Sequence, residues 1–137
     1  MTIYANTDGA SRGNPGESGI GVILRDDAGT ILYRGGGYIG ASTNNIAEYQ
    51  ALIACLKKVK RMKCDRLVVH SDSELMVRQL LGKYRVKDPD LKKCYGDVVK
   101  LLNTLPCSFE IVHIERELNQ DADMLANTGI DTKKRLV

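Results

Sequence analysis

Two periods of hydrophobic spacing share this chain. Segment 2–7 alternates apolar and polar residues and is predicted as a strand, as are 19–25 and 30–38. Asp26-Asp27-Ala28-Gly29 supplies a turn between the last two, which predicts an antiparallel hairpin. Over 43–62 the period changes. Ile46, Tyr49, Leu52, Ile53, Leu56 and Val59 recur at helical spacing, and Thr43 is placed to cap the helix start. Segment 66–71 is a compact apolar strand. Segments 73–84 and 91–105 read as helices, the first capped by Ser73 and the second ended by Pro106. A last strand covers 108–114, where Phe109, Ile111, Val112 and Ile114 alternate imperfectly, and a short helix covers 119–128 with Asn119 as its cap. The order βββαβααβα predicts an α/β fold with a five-stranded mixed sheet. Three antiparallel strands come first, then two strands parallel to the first through helical crossovers, with helices on both faces.

Composition narrows the class only a little. A chain of 137 residues suits a single domain spanning 1–137, and a hydrophobic fraction of 43% can supply its core without a staple. The net charge of +3 is compatible with a polyanionic partner but is shared by many proteins without one. No segment approaches the length of a membrane span, and the chain runs straight into strand-like sequence with no signal-peptide pattern. A cytoplasmic protein with no membrane partner is expected. Cys55, Cys64, Cys94 and Cys107 form no Cys-x-x-Cys pair and have no His at zinc spacing, so free thiols in a reducing compartment are expected.

The informative residues are acids in awkward places. Asp8 follows an apolar strand at its C-terminal edge, and Asp72 does the same for Leu67-Val68-Val69. Ligands of open α/β sheets sit beyond the C-terminal ends of parallel strands. Glu48 lies about one turn into the long helix, and Asp123 lies early in the last helix, beside the equally plausible Asp121. Taken singly, each acid suits a turn, a cap or a helix N-terminus. Four carboxylates meeting in one cleft would repel one another unless a cation sat between them, and Mg²⁺ suits such oxygen donors. The pattern alone does not establish that they converge.

Four motifs in order carry a resemblance. They are Thr7-Asp8-Gly9-Ala10-Ser11-Arg12-Gly13-Asn14-Pro15-Gly16, then Thr43-Asn44-Asn45-Ile46-Ala47-Glu48-Tyr49, His70-Ser71-Asp72-Ser73, and Asn119-Gln120-Asp121-Ala122-Asp123. Together they resemble type 1 ribonuclease H, in its compact form without a basic clamp insertion, over nearly the whole chain. The resemblance implies the ribonuclease H fold with strands in spatial order 3-2-1-4-5. It implies an endoribonuclease that hydrolyses the RNA strand of RNA–DNA hybrids through two Mg²⁺ ions, with Mn²⁺ as a substitute, leaving 5′-phosphate and 3′-hydroxyl ends. The implied metal-binding and catalytic residues are Asp8, Glu48, Asp72 and Asp123, rather than Asp121. Gly9, Asn14, Thr43, Asn44 and Asn45 are the implied substrate contacts, Thr43 helping to hold a DNA phosphate. Read without the resemblance, Asn14-Pro15-Gly16 is an ordinary turn and Thr43 an ordinary cap.

The chain departs from many relatives in three places. It has no Trp, and segment 82–89 is short, so Lys83, Arg85, Lys87, Lys92 and Lys93 are candidates for backbone phosphate contacts. Loop 115–119 carries no His, leaving Arg116 as the nearest substitute for the family's mobile histidine, while His113 in the last strand is expected to be structural. Glu74 stands where many relatives have Gln, with a consequence for substrate contact. Rival readings are another nuclease of the same superfold, a catalytically silent hybrid-binding module, and a domain of a larger polymerase. The start at Met1 and the basic tail favour a stand-alone monomer over the last of these.

Overall fold

A computed structural model describes residues 1–136. Its elements are β1 (Thr2–Gly13), β2 (Gly16–Arg25), β3 (Ile31–Ser42), α1 (Asn44–Lys60), β4 (Arg66–Ser71), α2 (Glu74–Leu80), α3 (Pro89–Thr104), β5 (Ser108–His113), a short 3-10 turn (Arg116–Leu118) and α4 (Gln120–Thr132). The strands form one sheet in the order β3-β2-β1-β4-β5. β1, β2 and β3 pair antiparallel, while β4 pairs parallel to β1 and β5 parallel to β4.

Local chemistry explains most boundaries. Asp26 Oδ1 accepts from the backbone N–H groups of Ala28 and Thr30 and so closes the β2–β3 turn, where Gly29 takes the positive φ the turn requires. Thr43 and Ser73 cap α1 and α2 as expected, accepting from Ile46 N and Met76 N. The expected helix 73–84 is shorter than its pattern. It stops at Leu80, and Gly82 at φ 76° turns the chain away. α3 starts earlier than expected because Asp88 caps it and Pro89 fills its first turn. α4 runs on to Thr132, beyond the expected 128.

The strand expected over 2–7 continues to Gly13, so Asp8 is not at a strand end. What ends there is the parallel neighbour. β4 leaves the ladder after Ser71, paired with Thr7, while β1 runs on beside β2 as far as Gly13. Asp8 is therefore the first residue of β1 with an open side, and Asp72 is the first residue after β4.

The core lies between the sheet and α1. Tyr49, Leu52, Leu56 and Val59 of α1 bury against Ile3, Ala5, Val22, Leu24, Leu67 and Val69, and α3 adds Leu91 and Val98. The other face is built differently. Gly19, Gly21 and Gly36 expose bare backbone to α4, and a Cβ on Gly36 would stand 2.0 Å from the Leu125 carbonyl oxygen. Glycine is required here by contact distance, which is how the last helix approaches β2 and β3 closely.

Gly36→Ala should therefore destabilise the protein by on the order of 3 kcal/mol, because the colliding atom is helix backbone. Gly96→Ala in α3, where a Cβ meets open space, should stabilise by roughly 0.5–1 kcal/mol. Urea unfolding midpoints of both variants test this, and equal midpoints would remove the packing argument.

Candidate active site

Asp8, Glu48 and Asp72 converge where β1 outruns β4. One oxygen from each lies within 4.8 Å of the others, and among the described residues no other such group of three occurs. Each arrives by a different route. Asp8 sits opposite Gly21 in the β1–β2 ladder, so its side chain shares the α4 side of the sheet with that glycine. Glu48 comes from the α1 side, over Gly9, whose missing Cβ leaves room for the Ala47–Glu48 backbone. The Gly9 N–H has no β4 residue to pair with and donates to Glu48 Oε1 at 2.7 Å. Asp72 follows directly from the last paired residue of β4.

Burial makes this gathering costly. Asp8 is 4% exposed and Glu48 5% exposed. The Asp8 carboxyl is held far above the usual carboxylate range, first by burial and then by the charges of Glu48, Asp72 and Asp123. Glu48 is pushed up to about 8, again by burial first and by Asp72 second, with the Gly9 N–H opposing the shift. The ion pairs of the described residues lie elsewhere. Three hard oxygen donors, close together, two of them buried and Asp72 half-buried, without a cationic side chain, fit a divalent ion such as Mg²⁺, Mn²⁺ or Ca²⁺.

Asp123 stands outside the trio. It is exposed on the first turn of α4, yet it lies near enough to Asp8 to help raise that carboxyl. Asn127 Nδ2 donates to the Asp123 carbonyl at 3.0 Å. The competing acid, Asp121, points to Arg25 at 3.6 Å. Asn119 was expected as a helix cap, but its side chain makes no capping bond. It is buried instead, donating to the Thr7 carbonyl at 2.9 Å and accepting from Asn6 Nδ2 at 3.1 Å. It thereby ties the start of α4 to β1 next to Asp8. Sequence gives no sign of this, because an Asn before a helix looks the same whether it caps or anchors.

The remaining expected contacts surround this end of the sheet. Asn14, in the β1–β2 turn, accepts from the Asn44 N–H at 3.2 Å, so the two motifs meet. Thr43 is half-buried, while Asn44 and Asn45 are exposed. Glu74 is exposed, with its carboxylate 3.4 Å from Arg78 Nε, one helical turn away. Arg116 is exposed in the 3-10 turn that leads into Asn119. His113, expected to be structural, is exposed at the end of β5.

A family model described as "Reverse transcriptase-like" matches residues 6–129. The crystal structure of RNase H1 from Halobacterium salinarum superposes with a TM-score of 0.91 at 39% identity, covering 96% of this chain and 99% of that one. The chain belongs to the ribonuclease H family. Another ribonuclease H structure, LC11-RNase H1 in complex with an RNA/DNA hybrid, superposes with a TM-score of 0.90 at 41% identity, covering 95% of this chain and 97% of that one. The curated Ribonuclease HI of Halobacterium salinarum is 40% identical over 129 residues, which are 94% of this chain and 64% of the relative. The chain thus spans less than two thirds of that ribonuclease H relative, and only 36% of the Mycobacterium tuberculosis "Bifunctional protein Rv2228c".

The raised carboxyls give a pH signature to the metal-free protein. The folded state keeps protons that the unfolded chain releases near pH 4, so the contribution of these two carboxyls to stability is fullest below that value. It should fall as pH rises through the window from about 4 to about 8, the value reached by Glu48. Calorimetry in a chelator should show this decline, and a divalent ion should reverse it most strongly at the alkaline end. Asp8→Asn should flatten the curve. A chelated wild type whose midpoint rises across the window would overturn the assignment.

Proposed function

We propose that this chain is an endoribonuclease that hydrolyses the RNA strand of RNA–DNA hybrids, leaving 5′-phosphate and 3′-hydroxyl ends. We further propose that the whole chain is one domain and that it works as a cytoplasmic monomer. The observation that carries the activity is the trio of Asp8, Glu48 and half-buried Asp72 at the open end of β1, with Asp123 near enough to raise the Asp8 carboxyl. The similarity to a ribonuclease H solved with a hybrid supports the substrate, and among the described residues no helix is long and apolar enough to cross a membrane.

In this reading Asp8, Glu48, Asp72 and Asp123 hold two Mg²⁺ ions, for which Mn²⁺ can substitute. When bound, such ions activate the attacking water and stabilise the leaving 3′ oxygen. The chain's own work is positioning. The Gly9 N–H fixes Glu48, and Asn119 fixes the start of α4, so the carboxylates are aimed before any ligand arrives. Asn14, Thr43, Asn44 and Asn45 line the approach between the β1–β2 turn and α1, where their amides and hydroxyl contact hybrid sugars, bases and a DNA phosphate, while Gly9, expected as a further contact, is buried beneath α1 and serves by admitting Glu48. Glu74, engaged with Arg78, must leave that ion pair to touch substrate. Arg116 presents a planar guanidinium to phosphate oxygens. It stays protonated and so orients substrate or assists product departure without acting as a base.

The test is cleavage of labelled matched hybrid, RNA duplex and DNA duplex, with and without Mg²⁺. Cutting of the RNA strand of the hybrid is expected only with the metal. Asp8→Asn should reduce the rate by at least about 100-fold while the circular dichroism spectrum is retained, since Asn keeps shape but loses the charge a metal needs. Near-normal cleavage by the folded variant would remove Asp8 from the metal site. A folded wild type that binds hybrid without cutting it would identify a silent binding module.

Arg116 makes a separate prediction. Arg116→Ala should lower steady-state turnover by roughly 10-fold, the scale of losing one charge-assisted phosphate contact. Arg116→Lys should recover part of that loss. Metal binding, measured by calorimetric titration, should not change. If both variants match the wild type in single-turnover and steady-state rates, Arg116 takes no part in catalysis.

A further inference from the structure

The opposite end of the sheet holds a second reactive group. Cys64 lies in the connection between α1 and β4, and Cys107 in that between α3 and β5. β4 and β5 pair in parallel with Arg66 opposite Ser108, and Ser108 N donates to the Asp65 carbonyl at 3.1 Å. This register sets Cys107 beside Asp65 and diagonal to Cys64. Both cysteines therefore stand at the same margin of the β4–β5 pair, two residues before Arg66 and one before Ser108. The side chains are neighbours, near enough that Cys107 raises the Cys64 thiol. Cys55 has no such neighbour, being fully buried along α1, and Cys94 accepts from Gln50 Nε2 at 3.7 Å.

We propose that Cys64 and Cys107 are a redox modification site, forming a reversible intramolecular disulfide when the protein meets a peroxide. Accessibility assigns the roles. Cys107 is half-buried and Cys64 is 9% exposed, at the wall of a cavity of about 320 Å³ shared with Met1, Met62 and Pro106. Cys107 is the more exposed of the two, so the first attack falls to it. Its thiolate attacks one oxygen of hydrogen peroxide. The O–O bond breaks, hydroxide leaves to become water, and Cys107 is left as a sulfenic acid. The Cys64 sulfur then attacks the Cys107 sulfur. The S–S bond forms, the S–O bond breaks, and the hydroxyl departs as a second water with the Cys64 proton. Two electrons pass from the sulfurs to the peroxide, and a dithiol reductant returns them.

The bridge would close the chain from 64 to 107, which contains β4, α2 and α3. It would stabilise the fold by restricting the unfolded chain, at the sheet end away from Asp8, Glu48 and Asp72. The proposal does not depend on the nuclease reading.

The experiment treats the full chain with hydrogen peroxide, blocks remaining thiols with an alkylating agent and maps peptides by mass spectrometry without reduction. A Cys64–Cys107 cross-linked peptide, lost after dithiothreitol, is expected, with a rise in the thermal midpoint of about 10 °C. Cys55→Ser and Cys94→Ser should still form it, whereas Cys107→Ser, at the more accessible position and so tolerant of change, should not. Mapping of the wild type decides the matter even if a variant misfolds. A cross-link between two chains, a Cys107 carried on to sulfinic acid beside an alkylated Cys64, or an oxidised protein with an unchanged midpoint would each overturn the proposal.

Discussion

Everything at the candidate site depends on one mismatch of length. β1 continues past the last residue of β4, and the backbone left without a neighbour there must find other partners. The Gly9 N–H finds Glu48 and the Thr7 carbonyl finds Asn119. A buried N–H or carbonyl left unpaired is costly, on the order of 1–3 kcal/mol. The same bonds that satisfy the sheet therefore fix an acid from α1 and the root of α4. The carboxylates are gathered by the backbone's need for hydrogen bonds, against their mutual repulsion.

The two faces of the sheet meet that repulsion differently. On the α1 side, interlocking apolar residues anchor the helix that carries Glu48. On the α4 side the contact is nearly backbone to backbone, so Asp123 can approach Asp8 while remaining exposed. One acid is held by a packed core and the other, on the exposed first turn of a helix rooted by Asn119, by a long hydrogen bond from Asn127 at 3.4 Å. Asp123 accordingly has more freedom to respond to what binds.

The architecture was legible because its signals are local and repeated. The spacing of Tyr49, Leu52, Leu56 and Val59 marks α1, the Asp26–Gly29 turn marks the β2–β3 hairpin, and the two-period alternation marks the sheet. The far half of β1 was not legible, since Gly9, Ser11 and Gly13 leave no hydrophobic alternation to read. The pattern placed Asp8 at a strand end for that reason, and the crevice it implied was still in the right place because the neighbouring strand stops there. Choosing Asp123 over Asp121 required the family motif. In the structure Asp121 is paired with Arg25. Asn119 escaped because its partners are 112 and 113 residues away in the chain.

Past α4 the chain turns at Lys133, in the left-handed conformation, and the Lys134 carbonyl accepts from the Tyr38 N–H at 2.7 Å. Tyr38 belongs to β3, the outermost strand on that side of the sheet. Lys133 also reaches Glu17, and Arg12 reaches Asp131, so this segment is clasped to the hairpin from both sides. A bare sheet margin invites pairing with another molecule, the first step of strand-mediated aggregation. Here one of the donors on that margin is already taken, and cationic side chains stand around it. The closing stretch of the chain thus works as a guard on solubility, keeping the sheet of one molecule from continuing into the next.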